Sequence, residues 1–275
     1  MRAILSLTKS MHLTQISLWL AGTMCLVPYA CSQSPAQAQS TAEDVTTVAE
    51  QYLLSAANQE RAALGLQPLQ RDPLLARAAE QHAREMAAHA SIAHQFPGEA
   101  ELSERAANAG ARFSVISENV GEAPSAIQIH DLWMHSTGHR ANLLDPAVDT
   151  AGISVIERAG ELYAVEDFAK TVRLISLEEQ ESAIGALIAQ QGLTVLAGRS
   201  DSVAARQTCA MPTGYAGTRK PWFVMRFTSD SLAVLPGQLK TRIASGRFHQ
   251  AAIGACAGST AGPFTSYNLA VLLYP

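Results

Sequence analysis

The chain has 275 residues, of which 48% are hydrophobic and 16% are charged, and its formal net charge is −4. This hydrophobic content excludes a disordered chain, and the length allows one large domain or two of ordinary size. The slightly acidic balance gives no basic footprint for nucleic acid, so we expect no nucleic-acid partner. Only one stretch near the N-terminus approaches a membrane span, which excludes a multi-pass membrane protein.

Residues 1–38 are predicted to form a secretory signal peptide. Their start is basic and free of acidic residues, an apolar run follows over residues 16–30, and the small-x-small site Ala36-Gln37-Ala38 places cleavage after Ala38. Two alternatives stay open. One is an uncleaved anchor helix, for which the apolar run is short, since a span needs about 20 apolar residues. The other is a lipid anchor at Cys31, although Pro28 and Tyr29 stand before it where small residues are expected. We expect an exported protein, periplasmic or extracellular, with no membrane span after cleavage.

Two cysteines, Cys209 and Cys256, follow this leader. An even number of cysteines in an exported chain favours a disulfide, and this one would close a loop of 47 residues. Closing such a loop is expected to contribute about 3–4 kcal/mol of stability. Two buried free thiols are the alternative.

The first part of the chain predicts mainly helices. Apolar residues at helical spacing predict a first helix over residues 41–64 with Val45, Val48, Tyr52 and Ala56 on one face. Cap and stop signals predict the others over residues 73–90 (N-cap Asp72), 102–108, 126–134 (N-cap Ser125) and 139–144.

The hydrophobic period changes after residue 150. Apolar, β-prone runs over residues 151–157 and 161–168 flank Ala159-Gly160, and this arrangement predicts a hairpin. Helices wrapped on a small sheet are typical of an α+β fold. We assign residues 41–172 to this first domain.

From residue 177 onwards the chain is predicted to form a smaller, β-rich C-terminal domain of unknown type, residues 177–275. It shows no strong internal repeat. The turn Arg219-Lys220-Pro221-Trp222 mixes cations with an aromatic ring; a solvated turn is the plain interpretation, and contact with a glycan or an anionic polymer is the alternative. The expected elements are a helix over 177–191 and strands over 193–197, 222–228, 240–243, 251–256 and 267–274.

Histidines concentrate in the first domain, where six of the eight lie between His82 and His139. Two imidazoles and a carboxylate from separate segments suit a divalent metal and equally suit general acid–base chemistry. The candidates are His94, Glu118 and His139. Arg105 follows His94 in the sequence. We expect His82 and Trp133 in the core, and His89, His130 and His135 at the surface or a cleft rim.

The same segments carry a resemblance to a known family. The chain resembles the CAP superfamily, also called the SCP or cysteine-rich secretory protein family, and above all its bacterial branch, over about residues 45–170. The matching motifs are an opening helix over Leu53–Leu69, a second helix at His82–Ala87, the cavity motifs His94, Glu118-Asn119-Val120 and Trp133–Leu144, and the strand Tyr163–Phe168.

This resemblance implies an α-β-α sandwich with a large open cleft that two histidines and two acids line in much of the family. By motif, His94 and His139 match the histidines and Glu118 matches one acid. The second acid has no clear match, and Glu166 on the later strand is the candidate substitute. The set would hold Zn²⁺ or another divalent cation. Ser136, Arg140 and Asn142 are expected to support the segment that carries His139.

Three functions follow from these expectations. The first is an exported, non-enzymatic binding or regulatory module whose cleft holds a lipid, a peptide or a cell-wall fragment, with or without a metal. The second is a metal-dependent or acid–base hydrolase that uses His94, Glu118 and His139. A Ser136–His139 dyad is a less favoured variant of it, because Ser136 is also placed to cap a helix. The third is a structural envelope protein with a vestigial cleft.

Overall fold

The computed structural model describes residues 46–257 and 262–275. The predicted signal peptide, its cleavage site after Ala38 and the alternative lipid anchor at Cys31 lie outside these residues. Within the described part of the chain, we find no helix that is both long and apolar enough to cross a bilayer.

Helix α1 spans Val48–Ala63 and begins at a capping box, in which Thr47 and Glu50 each bind the other's backbone N–H. The predicted apolar face is only partly the buried face: Val48 is 83% exposed and Tyr52 is 37% exposed, whereas Ala56 is buried. Val45, also predicted on this face, lies outside the described residues. The helix instead turns Leu53, Ala57 and Arg61 inward. The reason is tertiary: Leu53 and Ala57 join the core beneath the sheet, and this packing selects the face.

The next helices follow their local signals closely. Asp72 accepts hydrogen bonds from the first turn of α2, Pro73–His89, and Pro73 occupies the position where a missing N–H costs nothing. Ser125 caps α4 through the N–H of Gln128. These helices are α2 (Pro73–His89), α3 (Leu102–Asn108), α4 (Ala126–His135) and α5 (Thr137–Leu143).

A four-stranded sheet lies between these helices. The predicted hairpin is present, and Ala159 and Gly160 both take positive φ, 55° and 86°, as a two-residue turn between right-twisted strands requires. The prediction missed the long edge strand β2, because Glu118, Asn119 and other polar residues interrupt its apolar pattern. The strands are β1 (Gln70–Arg71), β2 (Phe113–Ala123), β3 (Thr150–Arg158) and β4 (Glu161–Thr171), in the order β1-β3-β4-β2.

Helices cover both faces of this sheet. Helix α2 packs along β3 and β4 through Ala79, Ala83 and Met86. On the other face, α1 and α4 pack with Trp133 in a second cluster. The result is the α-β-α sandwich that the resemblance implies, with His82 and Trp133 buried as predicted.

The C-terminal residues contain the expected second sheet, also four-stranded. The predicted strand over 240–243 is wrong, since these residues close helix α8, and helix α7 was missed because its sequence is polar and buries only Ala205 and Thr208. Cys209 and Cys256 form the predicted disulfide. The elements are α6 (Leu177–Ala189), β5 (Thr194–Val195), α7 (Arg199–Ala210), β6 (Phe223–Ser229), α8 (Gly237–Ile243), β7 (Gln250–Cys256) and β8 (Tyr267–Tyr274).

The second sheet repeats the connectivity of the first, although the sequence shows no strong repeat. Its order is β5-β7-β8-β6, with a parallel first pair followed by antiparallel pairs, as in β1-β3-β4-β2. In both sheets a glycine lets a helix approach closely: a Cβ on Gly152 would lie 2.2 Å from the backbone of Leu75, and one on Gly254 2.1 Å from that of Ala205. The C-terminal part is therefore a reduced α-β-α sandwich of the same topology.

Candidate functional site

His94 and Glu118 are in direct contact. His94 lies in the loop after α2, and its side chain is 62% exposed, whereas the Glu118 side chain on β2 is 3% exposed. Nδ1 of His94 lies 2.8 Å from Oε1 of Glu118. Two of the residues expected at the site thus come together from segments 24 residues apart.

Arg105, on helix α3, takes the other oxygen of Glu118. Its side chain is also 3% exposed, and its guanidinium forms an ion pair with Oε2 of Glu118. The same guanidinium donates to the carbonyl oxygens of Ala100, at 3.1 Å, and His94, at 3.3 Å. The sequence by itself gives Arg105 no role in the site. The feature that could have indicated its role is its position next to Ala106, the other buried residue of this short helix.

Below His94, a second polar contact fixes the same loop. Nδ1 of His82 lies 2.7 Å from Oε1 of Glu99, and Nε2 lies 2.7 Å from the carbonyl oxygen of Ala93. Glu99 also accepts from the N–H of Phe96 at 3.0 Å. Because His82 is fully buried on α2, it ties the loop that carries His94 to the rigid sandwich.

The segment that carries His139 is attached to β2 by asparagines. Asn119 donates to the carbonyl oxygen of His139 at 3.0 Å. Asn142 donates to the carbonyl oxygen of Glu118 at 3.1 Å and to the side-chain oxygen of Asn119 at 3.0 Å. Asn142 therefore holds the supporting position expected of it, and Asn119 adds a link that the sequence did not indicate.

The other two supporting candidates contribute less. Ser136 is the N-cap residue of α5, but its side chain makes no capping hydrogen bond. The Arg140 side chain is exposed. Nothing in this geometry gives Ser136 the partner that a nucleophile would need.

The strand register decides which acid accompanies Glu118. On β4, Asp167 is the residue directly opposite Glu118, and Glu166 lies opposite Asn119. Side chains alternate between the faces of a strand, so Asp167 shares a face with Glu118 and Glu166 points to the other face. Both acids are fully buried. The sequence motifs indicate Glu166 as the candidate acid and give Asp167 no role.

Burial sets the protonation of these acids. Desolvation raises the pKa of Glu166 to about 8, and neither of its oxygens meets a hydrogen-bond partner in the described residues. Desolvation, reinforced by the nearby Glu118, raises the pKa of Asp167 well above its usual range. Neither oxygen of Asp167 has a hydrogen-bond partner among the described residues, whereas Glu118 contacts Arg105 and His94.

The pKa values of the two candidate histidines, His94 and His139, are shifted in opposite directions. The hydrogen bond to Glu118 raises the pKa of His94. Burial, together with the charge of His94, lowers the pKa of His139. The charge of His94 therefore influences His139, and His94 is expected to lose its proton at a higher pH than His139.

A cleft of about 430 Å³ opens beside the His94–Glu118 pair. Its apolar wall is formed by Leu102, Ile116 and Phe264. Phe264 belongs to the connection between β7 and β8, packs edge-on against Phe113 with ring centroids 5.4 Å apart, and is followed by Thr265, whose N–H donates to Phe113 at 2.8 Å. The C-terminal residues thus supply part of the cleft wall.

These residues do not fit a metal centre. Across residues 46–257 and 262–275, no group of three or more His, Cys, Asp and Glu side chains is arranged to hold a metal ion. Glu118 is the only acid in contact with His94 among these residues, and Arg105 already neutralises it. A divalent cation at this carboxylate would have to sit against a buried guanidinium, which is electrostatically unfavourable.

The fold and the site define an α-β-α sandwich with a histidine- and acid-lined cleft. Residues 54–168 match the family model of the cysteine-rich secretory protein family, CAP. This part of the chain is similar to that family, in line with the resemblance of the sequence motifs.

The comparisons with individual proteins each cover about half of the chain. The uncharacterized protein YkwD of Bacillus subtilis (strain 168) is 26% identical over 145 residues, which is 50% of this chain and 56% of YkwD. The chain thus spans a little over half the length of this curated relative. Among solved structures, an outer surface protein of Borrelia burgdorferi is 20% identical, with 46% of this chain and 96% of that chain covered and a TM-score of 0.43. An SCP-domain extracellular protein of Bacillus anthracis is 22% identical, with 45% and 40% covered and a TM-score of 0.42.

Proposed function

We propose that the CAP domain is a non-enzymatic binding module for a small ligand with an apolar part and a polar head, such as a lipid, a peptide or a cell-wall fragment. The observation that supports this most directly is that one cleft combines the His94–Glu118 pair with the apolar wall of Leu102, Ile116 and Phe264. Clefts of this size with few convergent polar groups are typical of small-molecule sites.

The polar end of the cleft favours an anionic or hydrogen-bond-accepting head. Because Nδ1 of His94 is taken by Glu118, its Nε2 is the nitrogen left for a ligand. The raised pKa of His94 makes this nitrogen a donor at a higher pH than in an unperturbed histidine. A carboxylate or phosphate head with an apolar tail would satisfy both ends of the cleft.

The protein is proposed to act outside the cytoplasm. Two features support this placement: the leader pattern over residues 1–38 and the disulfide between Cys209 and Cys256. The ligand would then be one that an exported protein meets, in the envelope or the medium.

A hydrolase remains the second candidate, and the opposite pKa shifts of the two histidines favour it. Two histidines whose pKa values are shifted in opposite directions resemble an acid–base pair. Against it, Glu118 is engaged by Arg105 and Ser136 has no activating partner. Turnover of p-nitrophenyl esters or casein that is lost in both His94→Gln and His139→Gln would establish the hydrolase and overturn the binding module.

The binding proposal is tested with a dansyl-labelled undecanoate and, separately, with muramyl dipeptide. We expect saturable binding of one probe, weakened at least about tenfold by His94→Gln, since a charge-assisted hydrogen bond contributes about 1.5–3 kcal/mol. Phe264→Ala should also weaken the labelled fatty acid. His135→Gln is the matched control, because His135 is 78% exposed and lies outside the cleft lining. Binding of neither probe, or equal binding by all variants, would reject the proposal.

A further inference from the structure

A second concave site lies in the C-terminal residues, away from the CAP cleft. A cavity of about 390 Å³ opens between the segment that leads into β6 and the segment that follows α8. We call it the basic–aromatic site and define it by the lining residues Lys220, Trp222, Phe223, Arg242, Arg247 and Phe248. No part of the proposed CAP function uses it.

Folding, not sequence proximity, assembles this site. Arg242 lies at the end of α8 and places its guanidinium 5.3 Å from the ring centre of Phe223. Arg247 follows that helix and places its guanidinium 5.9 Å from the ring centre of Trp222. Arg242 and Arg247 thus converge on the turn over residues 219–222, in which the sequence by itself showed Arg219 and Lys220 close to Trp222.

The aromatic ring is available to a ligand. Trp222 is 59% exposed, although an indole buries a large apolar area when it packs in a core. Directly beside it, Phe223 and Phe248 are held in the sandwich core. Trp222 therefore stands on a rigid base and presents its ring at the rim of the cavity.

The positive charges of this site are uncompensated. Among residues 46–257 and 262–275, Lys220, Arg242 and Arg247 have no acidic side chain within ion-pair distance. By contrast, Arg206 of the same part of the chain binds Glu178 and Glu181. Three unpaired cations around a concavity concentrate positive potential locally in a chain whose net charge is −4.

We propose that the basic–aromatic site binds an anionic carbohydrate, with the Trp222 indole packing on the face of a sugar ring and Arg242, Arg247 and Lys220 binding its carboxylate or phosphate groups. Guanidinium groups match the geometry of both anions. The exposed ring explains why the ligand should carry a flat apolar face as well as charge. A small concave pocket with three cations suits one or two sugar units better than a nucleic acid, which needs an extended basic face, or a membrane surface, which needs about four to eight cations.

The test uses the full-length protein and isothermal titration calorimetry at low salt. The probes are tetragalacturonate, which carries carboxylates, and a phosphorylated oligosaccharide of matched length; their relative affinities distinguish the two sources of charge. Neutral maltotetraose lacks the charge, poly-glutamate lacks the ring, and duplex DNA represents the other class of polyanion.

We expect at least one anionic sugar to bind, and Arg242→Gln/Arg247→Gln and Trp222→Ala each to weaken it at least about tenfold. Arg84→Gln/Arg199→Gln removes the same charge from exposed positions elsewhere and should change affinity less than about twofold. Circular dichroism confirms that each variant folds. Equal binding of poly-glutamate or DNA, no effect of Trp222→Ala, or no binding of either anionic sugar would overturn the proposal.

Discussion

Arg105 and Glu118 form an ion pair in which each side chain is 3% exposed. Glu118 is at once the acid beside the exposed His94 and the partner of a buried guanidinium. The pair links helix α3 to strand β2 and fixes the charge state of the cleft floor. Its consequences can be measured as stability, metal affinity and titration.

Arg105→Met should destabilise the protein by about 3–5 kcal/mol, because it leaves Glu118 as an unpaired buried charge. Urea unfolding followed by circular dichroism measures this change. The double variant Arg105→Met/Glu118→Gln should recover part of the loss, since the orphaned charge is gone. Arg84→Gln, which breaks an exposed pair with Glu80, should cost less than about 1 kcal/mol. A single variant as stable as the parent would show that the pair contributes nothing.

Zinc should not bind stoichiometrically at the His94–Glu118 pair, because Arg105 holds the charge position that a cation would need. Calorimetric titration with Zn²⁺ and metal analysis after dialysis measure this directly. The folded variant His94→Ala/His139→Ala should give the same result as the parent protein. One equivalent of zinc in the parent that is lost in this variant would contradict the expectation.

His94 and His139 should titrate on opposite sides of the usual histidine value of about 6.5. The pKa of His94 should be the higher, and it should fall in Glu118→Gln because the hydrogen bond to a carboxylate is its main cause. The pKa of His139 should rise in His94→Gln, which removes the neighbouring charge. Heteronuclear NMR of the imidazole resonances follows both groups. Coincident titration of His94 and His139 would refute this assignment.

Glu166 should make the protein less stable as the pH rises. Its folded pKa of about 8 exceeds the ordinary 4.5, so between these values the folded state binds more protons than the unfolded state. The stabilising contribution is then present below about pH 4.5 and is lost progressively up to about pH 8. Glu166→Leu should flatten this decline and raise the free energy of unfolding at pH 8 by at least about 1 kcal/mol. Exposed Glu85→Gln is the control, and an unchanged pH slope in Glu166→Leu would count against the assignment.

The two close helix–strand approaches should be equally sensitive to a methyl group. Gly152→Ala and Gly254→Ala each place a Cβ within 2.2 Å of helix backbone, so each should destabilise by more than about 3 kcal/mol or prevent folding. Gly138→Ala is the matched control, because nothing lies within 4 Å of the added Cβ there. Thermal unfolding distinguishes these results. Tolerance of Gly254→Ala alone would show that the second sandwich packs its helix less tightly than the first.

Much of the fold could be predicted where the signal is local. Asp72 and Ser125 cap their helices, and Ala159-Gly160 turns the hairpin, because each structure depends on residues within a few positions along the chain. The family motifs over residues 54–168 and the Cys209–Cys256 pair are likewise legible in the sequence.

Tertiary contacts decided the rest. The buried face of α1 follows from the sheet on which Leu53 packs, and not from the periodicity of Val48 and Tyr52. Strand β2 was not predicted because polar residues such as Glu118, which lines the cleft, interrupt its apolar pattern. At such a position the local sequence pattern and the overall fold conflict. The register across β2 and β4 put Asp167, and not Glu166, beside Glu118, and side chains alternate so that a shift of one residue reverses the face.

The sequence by itself therefore determined the starts of α2 and α4, the hairpin, the family resemblance and the disulfide, since each depends on neighbouring residues or on a short motif. Only the tertiary structure decided that Arg105 neutralises Glu118, that Arg242 and Arg247 converge on Trp222, and that the C-terminal residues repeat the sandwich. Those relationships join positions far apart in the chain. They depend on how apolar faces are buried against one another, and hydrophobic burial carries no directional signal that the sequence alone can display.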